Sequence, residues 1–293
     1  MTAYKVVLVG YDGSPAASAA VVWASAEADR RGAMLRVVAC YSIPLATDYW
    51  GSLVSSVPYD SDLIRMASER SVEAVLATVS AAHPGLTVEG RAVYDSPRQA
   101  LVEQAEVADV LVVGTTGAGE AKSFVLGSVA HSVARASPCP VVLVPCAEAS
   151  PLKGRIVVGM DGSAAAEAAL DWATDEADLR RAEVVVVHAW TYPYSGEVGS
   201  FQARDLTRVD AALMLEEAVA ASRARGGSPV ESELVENDPA PALVDQAVHA
   251  DLVVVGSRGR GAFRSMLFGS VAHAVAARSS CPTVVVRAPE GGD

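Results

Sequence analysis

Residues 109–144 read DVLVVGTTGAGEAKSFVLGSVAHSVARASPCPVVLV, and residues 251–286 read DLVVVGSRGRGAFRSMLFGSVAHAVAARSSCPTVVV. Aligned without a gap, 19 of the 36 positions are identical, far more than chance gives two unrelated segments. Self-similarity at a fixed offset signals a repeated unit. The chain also begins twice: Val9-Gly10-Tyr11-Asp12-Gly13-Ser14 matches Val158-Gly159-Met160-Asp161-Gly162-Ser163, and Trp23 matches Trp172 at the same offset of 149. The C-terminal blocks are offset by 142, so the second copy is seven residues shorter in between. The chain is a tandem duplication. The polar, Pro-containing join at Ala147–Leu152 sets domains at 1–147 and 153–293, and its shortness keeps them close together.

Each half has the size of an ordinary domain and can bury its own core without disulfides or metals. The 293 residues are 51% hydrophobic but only 5% aromatic, so Ala, Val and Leu must build that core. The net charge of −12 argues against a general affinity for nucleic acid or an anionic membrane. An anionic ligand must therefore be held by local geometry. Met1-Thr2-Ala3-Tyr4-Lys5 leads directly into a short apolar strand, and no run nears the ~18 apolar residues of a membrane span. Cys40, Cys139, Cys146 and Cys281 show no metal or disulfide spacing. A reduced, cytoplasmic protein is expected.

Within each copy the periodicity alternates. Lys5–Gly10 and Leu35–Cys40 are apolar runs suited to buried parallel strands. Between them Ser14 can cap, and Pro15 can open, an Ala-rich helix reaching Arg31. A loop over Ser42–Tyr59 leads to a helix near Asp60–Ala82, then a strand at Thr87–Val93 and a helix at Pro97–Val107. Val110–Gly114 is a fourth strand, Val129–Ala136 a helix, and Val141–Val144 a last strand. The second copy repeats this from Arg155 to Arg287. Alternating β and α elements imply a parallel sheet covered on both faces, with ligands at the carboxyl ends of the strands.

Two glycine clusters fall at such an end. Gly114-Thr115-Thr116-Gly117 closes the fourth strand, and after nine residues Gly127-Ser128 opens a helix. Gly256-Ser257-Arg258-Gly259 and Gly269-Ser270 repeat the spacing. Glycine allows positive φ and close approach to backbone amides, successive amides make an anion-binding nest, and a helix N-terminus offers a second anion site. Two cradles joined by one loop suit a polyphosphate. A single glycine turn could serve only the chain reversal, but the doubled pattern at one topological place argues for a ligand. Neither a Walker A loop nor a G-x-G-x-x-G fingerprint after the first strand is present.

These residues are similar to those of the universal stress proteins, specifically the tandem, ATP-binding branch. The likeness rests on Gly-x-x-Gly-x9-Gly-Ser in both copies, on Asp12 and Asp161, and on Cys139-Pro140 and Cys281-Pro282. It covers nearly the whole chain. The resemblance implies two Rossmann-like domains of the adenine nucleotide alpha hydrolase type. Each would be a five-stranded parallel sheet of order 3-2-1-4-5 with helices on both faces. It implies ATP, with Mg²⁺, as a regulatory ligand in each domain. Gly10 and Asp12, with Gly159 and Asp161, would lie near the nucleoside, and the backbone at Cys40 and Ala189 would meet adenine. Gly114, Thr115, Thr116, Gly117, Ala118, Gly119, Gly127, Ser128 and Val129 would surround ribose and phosphates. Gly256, Ser257, Arg258, Gly259, Arg260, Gly261, Gly269, Ser270 and Val271 would do so in the second copy. The family also implies pairing of the domains through their last strands, a possible homodimer and an unidentified protein partner.

The copies differ in charge. Arg258, Arg260 and Arg264 stand where the first copy has Thr116, Ala118 and Lys122, with Glu120 besides, so tighter ATP binding is expected in the second. Asp12-Gly13-Ser14 also reads as a turn and cap. His131 and His273 could reach a phosphate or face outward, and Trp23 and Trp172 should pack helices onto the sheet. No catalytic set stands out, which favours a regulatory nucleotide binder over a slow ATPase or phosphotransferase using Asp12 or Asp161.

Overall fold

The computed structural model describes residues 5–42, 61–117, 125–146, 151–191, 200–260 and 268–288. The first copy runs β1 (Val6–Gly10), α1 (Pro15–Arg31), β2 (Met34–Tyr41), α2 (Ser61–Ala82), β3 (Val88–Tyr94), α3 (Pro97–Ala105), β4 (Val110–Gly114), α4 (Ser128–Ala136) and β5 (Val141–Val144). The second runs β6 (Arg155–Gly159), α5 (Ala164–Arg180), β7 (Glu183–Trp190), α6 (Ser200–Ala224), β8 (Val230–Glu236), α7 (Pro239–Ala247), β9 (Leu252–Gly256), α8 (Ser270–Arg278) and β10 (Thr283–Val286).

Local chemistry sets these boundaries. Ser14 Oγ accepts from the Ala17 amide at 3.1 Å, Pro15 occupies the first turn, and Gly32 ends α1 at φ 58°. Ser163 caps α5 in the same way, but there Arg181 takes the left-handed position at φ 55°. The central strands β1, β4, β6 and β9 are buried on both faces, which is why they read as unbroken apolar runs.

The strands form one ten-stranded sheet in the order β3-β2-β1-β4-β5-β10-β9-β6-β7-β8. Each half is parallel and follows the order 3-2-1-4-5. The halves join where β5 and β10 pair antiparallel, with Val142 opposite Val284. Antiparallel pairing of equivalent strands relates the halves by a local twofold axis. One core, with α1, α2, α5 and α6, covers one face of the whole sheet, and a second, with α3, α4, α7 and α8, covers the other. None of the described helices is long and apolar enough to cross a membrane.

The junction is more than a strand pair. Glu27 on α1 accepts from Arg30, Arg31 and Arg180, and Glu176 on α5 accepts from Arg31 and Arg180. Both carboxylate side chains have 0% exposure. The Arg180 guanidinium lies 5.3 Å from the Trp23 ring centre, and that of Arg31 lies 5.8 Å from Trp172. The tryptophans thus pack against the core, as the sequence suggests, and also receive a cation from the opposite half. Burial opposes ionisation of Glu27, but Arg180, Arg31 and Arg30 outweigh it and hold its carboxyl below the usual range. Burial raises Glu176; the negative charge of Glu27 adds to the rise, while Arg180 and Arg31 oppose it.

Candidate functional site

Each half has a cavity at the carboxyl ends of its central strands, between the first and fourth strands of that half, where the strand order reverses. The first is about 130 Å³ and the second about 290 Å³. At the first cavity the end of β1 supplies Gly10, Tyr11 and Asp12, and β2 supplies Cys40. The turn after β4 adds Gly114, Thr116 and Gly117, and α4 adds Gly127, Ser128 and Val129. The second gathers Gly159, Asp161, Ala189, Gly256, Arg258, Gly259, Gly269, Ser270 and Val271.

The remaining candidates fall elsewhere. Thr115 and Ser257 are buried and shape the turn: their carbonyls accept from the amides of Gly127 and Gly269, each at 2.8 Å. These two bonds close the gap of nine residues, setting each glycine turn directly against a helix N-terminus. Arg260 is exposed, and its guanidinium reaches Gly162 in a groove between α5 and α6. Ala118, Gly119, Glu120, Lys122, Gly261 and Arg264 lie outside the described residues, as does the loop 43–59.

The helices that follow the two glycine turns, α4 and α8, have bare N-termini, as does α7 behind Asp238. α1, α3 and α5 each start with a serine whose side chain accepts from the first turn. α4 and α8 start at Gly127 and Gly269, with no side-chain cap bond. Their first amides are donors without an internal partner, at the positive end of the helix dipole. None of the described glycines lining the cavities has a positive φ, so their role is room. A Cβ on Gly114 would lie 2.6 Å from the Ala16 carbonyl carbon, and one on Gly117 would lie 2.9 Å from Asp12 Oδ2. The positive φ falls instead at Gly13 and Gly162, at 80° and 72°, in the turn after each first strand.

The aspartates hold these turns. Asp12 Oδ1 accepts from the Ser14 amide at 3.0 Å, and Asp161 Oδ1 does the same with Ser163. Asp161 Oδ2 also accepts from the Arg260 amide at 3.0 Å, and Ser163 Oγ donates to the Arg258 carbonyl at 3.3 Å. One carboxylate thus holds the turn and lines the second cavity. Burial, with the nearby Asp95 carboxylate, pushes the Cys40 thiol up to about 11. Among the described residues, no group of three or more His, Cys, Asp or Glu is placed to hold a metal ion.

Sequence reasoning passed over Pro97 and Leu101 on α3, and their equivalents Pro239 and Leu243 on α7, which wall the cavities. Their shared offset of 142 was the available signal. The histidines depart from both sequence expectations. His131 and His273 face each other across the junction, ring centres 5.5 Å apart, because the β5–β10 pairing brings the two halves together at this face. Partial burial, then His273, then Arg135, lower the pKa of His131.

The profile of the universal stress protein family matches residues 3–145 and 154–287. Universal stress protein Rv2005c of Mycobacterium tuberculosis is 34% identical over 294 residues, covering 96% of both chains. Universal stress protein Rv2623 of the same organism is 33% identical over 295 residues, again covering 96% of both. Among solved structures, a universal stress protein from Archaeoglobus fulgidus aligns with a TM-score of 0.69 at 21% identity, covering 97% of this chain and 98% of its own, a likeness of fold. With both halves matched and relatives aligned across nearly the full length, the chain belongs to the universal stress protein family.

Proposed function

We propose that each half binds ATP as a regulatory ligand of a stress response. The observation that carries this reading is the uncapped N-terminus of α4 and of α8, bonded through its glycine to the turn after the fourth strand. That arrangement gives a polyphosphate two adjoining sets of amide donors without a strongly basic surface, as an acidic chain requires. The ends of β2 and β7, at Cys40 and Ala189, take the adenine side. Mg²⁺ would arrive with the phosphates, since phosphate oxygens and waters can fill its octahedral shell, to which the protein adds at most a carboxylate such as Asp161.

Binding without steady turnover is the favoured activity. Both oxygens of Asp161 already accept backbone hydrogens, so the carboxylate has a structural occupation before any role toward water. The second site is the tighter. Its cavity is larger, and Arg258 lines it where the first site has Thr116. Four free cysteines suit the reducing cytoplasm, the compartment we assign. A protein partner would read the nucleotide state through the loops and helices that ATP contacts.

Calorimetric titration with Mg-ATP tests this on the wild type and on Gly117→Asp and Gly259→Asp. A Cβ at either glycine runs into the aspartate of the first turn, and a carboxylate there adds repulsion. Two sites should appear in the wild type and one in each variant, the weaker one surviving in Gly259→Asp. Equal affinities in the two variants would remove the ranking, and two intact sites in either would remove the site assignment.

A further inference from the structure

A route of direct contacts joins the two cavities. The His131 amide donates to the Gly127 carbonyl at 2.9 Å, and the His273 amide donates to that of Gly269 at 3.0 Å. Both glycines line cavities, so each histidine is tied by one helical turn to a candidate phosphate cradle. The two imidazoles meet nearly edge-on, at 71°. Phe268, which immediately precedes Gly269, lies 5.4 Å from the His131 ring and 6.0 Å from that of His273. Phe268 is only 9% exposed and belongs to the core on that face. A ring anchored beside one cavity therefore touches the helix rooted in the other.

We propose that the two nucleotide sites are positively coupled through this His131–Phe268–His273 contact, so that filling either raises the affinity of the other. The inference rests on the ATP reading above. A ligand held by the amides of a first helical turn fixes that turn and the histidine at its end. The packed rings pass the restraint across the junction, and the second site then loses less conformational freedom on binding. The coupling is reciprocal by linkage. Its sign is opposite to that of charge repulsion between two polyphosphates in an acidic chain, so repulsion alone cannot produce it.

The test uses ATP and the full chain. Phe268→Leu is the informative variant, because Leu126 fills the equivalent position of the first copy and is buried there. In calorimetric titrations, closing the second site with Gly259→Asp should weaken the first about fivefold, at the low end of measured coupling factors. Phe268→Leu should keep two sites and erase that dependence on Gly259→Asp. A second readout avoids affinities: in Gly117→Asp, ATP should shift the ring resonances of His131, and adding Phe268→Leu should abolish the shift. A first-site affinity within about twofold of wild type in Gly259→Asp would overturn the coupling, as would a full drop persisting in Phe268→Leu, or an unmoved His131 signal. Absence of any ATP binding by the wild type would overturn the nucleotide reading itself, and the coupling with it.

Discussion

Replacing Glu27 by Gln should destabilise the chain by about 3–5 kcal/mol, the loss found when one partner of a buried ion pair is removed. The size follows from the surroundings. The Glu27 side chain is fully buried and accepts from Arg30, Arg31 and Arg180, so Gln leaves two largely buried guanidiniums with one carboxylate between them. Glu176→Gln should cost clearly less. Glu176 accepts from two guanidiniums, those of Arg31 and Arg180, where Glu27 accepts from three, so fewer charge-assisted bonds are lost. At roughly 2 °C per kcal/mol for a chain of this length, Glu27→Gln should lower the melting temperature by about 6–10 °C. Scanning calorimetry at pH 7 reads both variants. A loss below about 1 kcal/mol, or a larger loss in Glu176→Gln, would refute the assignment of Glu27 as the charged centre of the junction.

The same pair gives an acid-side signature. Glu27 is depressed in the folded state, so its stabilisation is complete above its ordinary value of 4.5 and fades as pH falls through the lower folded value. Glu176 is raised, so its contribution is full below 4.5 and is lost as pH rises through the folded value. The two windows meet at 4.5 without overlapping, so Glu176→Gln should remove the gain in stability that the wild type shows as pH falls toward 4.5 and leave the Glu27 loss below 4.5 in place.

Two further outcomes follow from single positions. Arg181 is the one described non-glycine residue with a positive φ, where the first copy has Gly32, so Arg181→Gly should raise stability by roughly 1 kcal/mol in urea unfolding. A decrease would show that the Arg181 side chain supplies more than the strain costs. Iodoacetamide at pH 8 should label the exposed Cys146 well before Cys40, whose thiol titrates at about 11, as peptide mass spectrometry would show. Comparable rates would mean that the wall of the first cavity opens readily.

The repeat was legible because it rests on a pattern that recurs at a fixed offset, whereas the strand order and the pairing of the last strands came with the resemblance to the family. Glycine clusters at β4 and β9 were legible for the same reason as the repeat. The reason for those glycines was not fully legible: sequence suggests positive φ or room for a ligand, whereas the described ones have no positive φ and their backbone runs too close to Ala16 and the aspartate turns to admit a Cβ. The ion-pair quartet at the junction was missed although Glu27 and Arg31 recur as Glu176 and Arg180. A charged pair four residues apart reads as a solvated helix face until the sheet pairing shows that the two faces meet. The histidines escaped for a similar reason, since their partners lie across the twofold axis and not in their own copy. Arg260 shows the limit at a single residue. Its place in the motif sets its amide on Asp161, while its side chain leaves for the neighbouring groove.

The most direct test of the account is to heat-denature the purified protein and identify the released nucleotide by mass spectrometry. ATP should be recovered, in wild-type protein more than in Gly259→Asp. Folded wild-type protein that carries no adenine nucleotide, and takes up none from excess Mg-ATP, would contradict it.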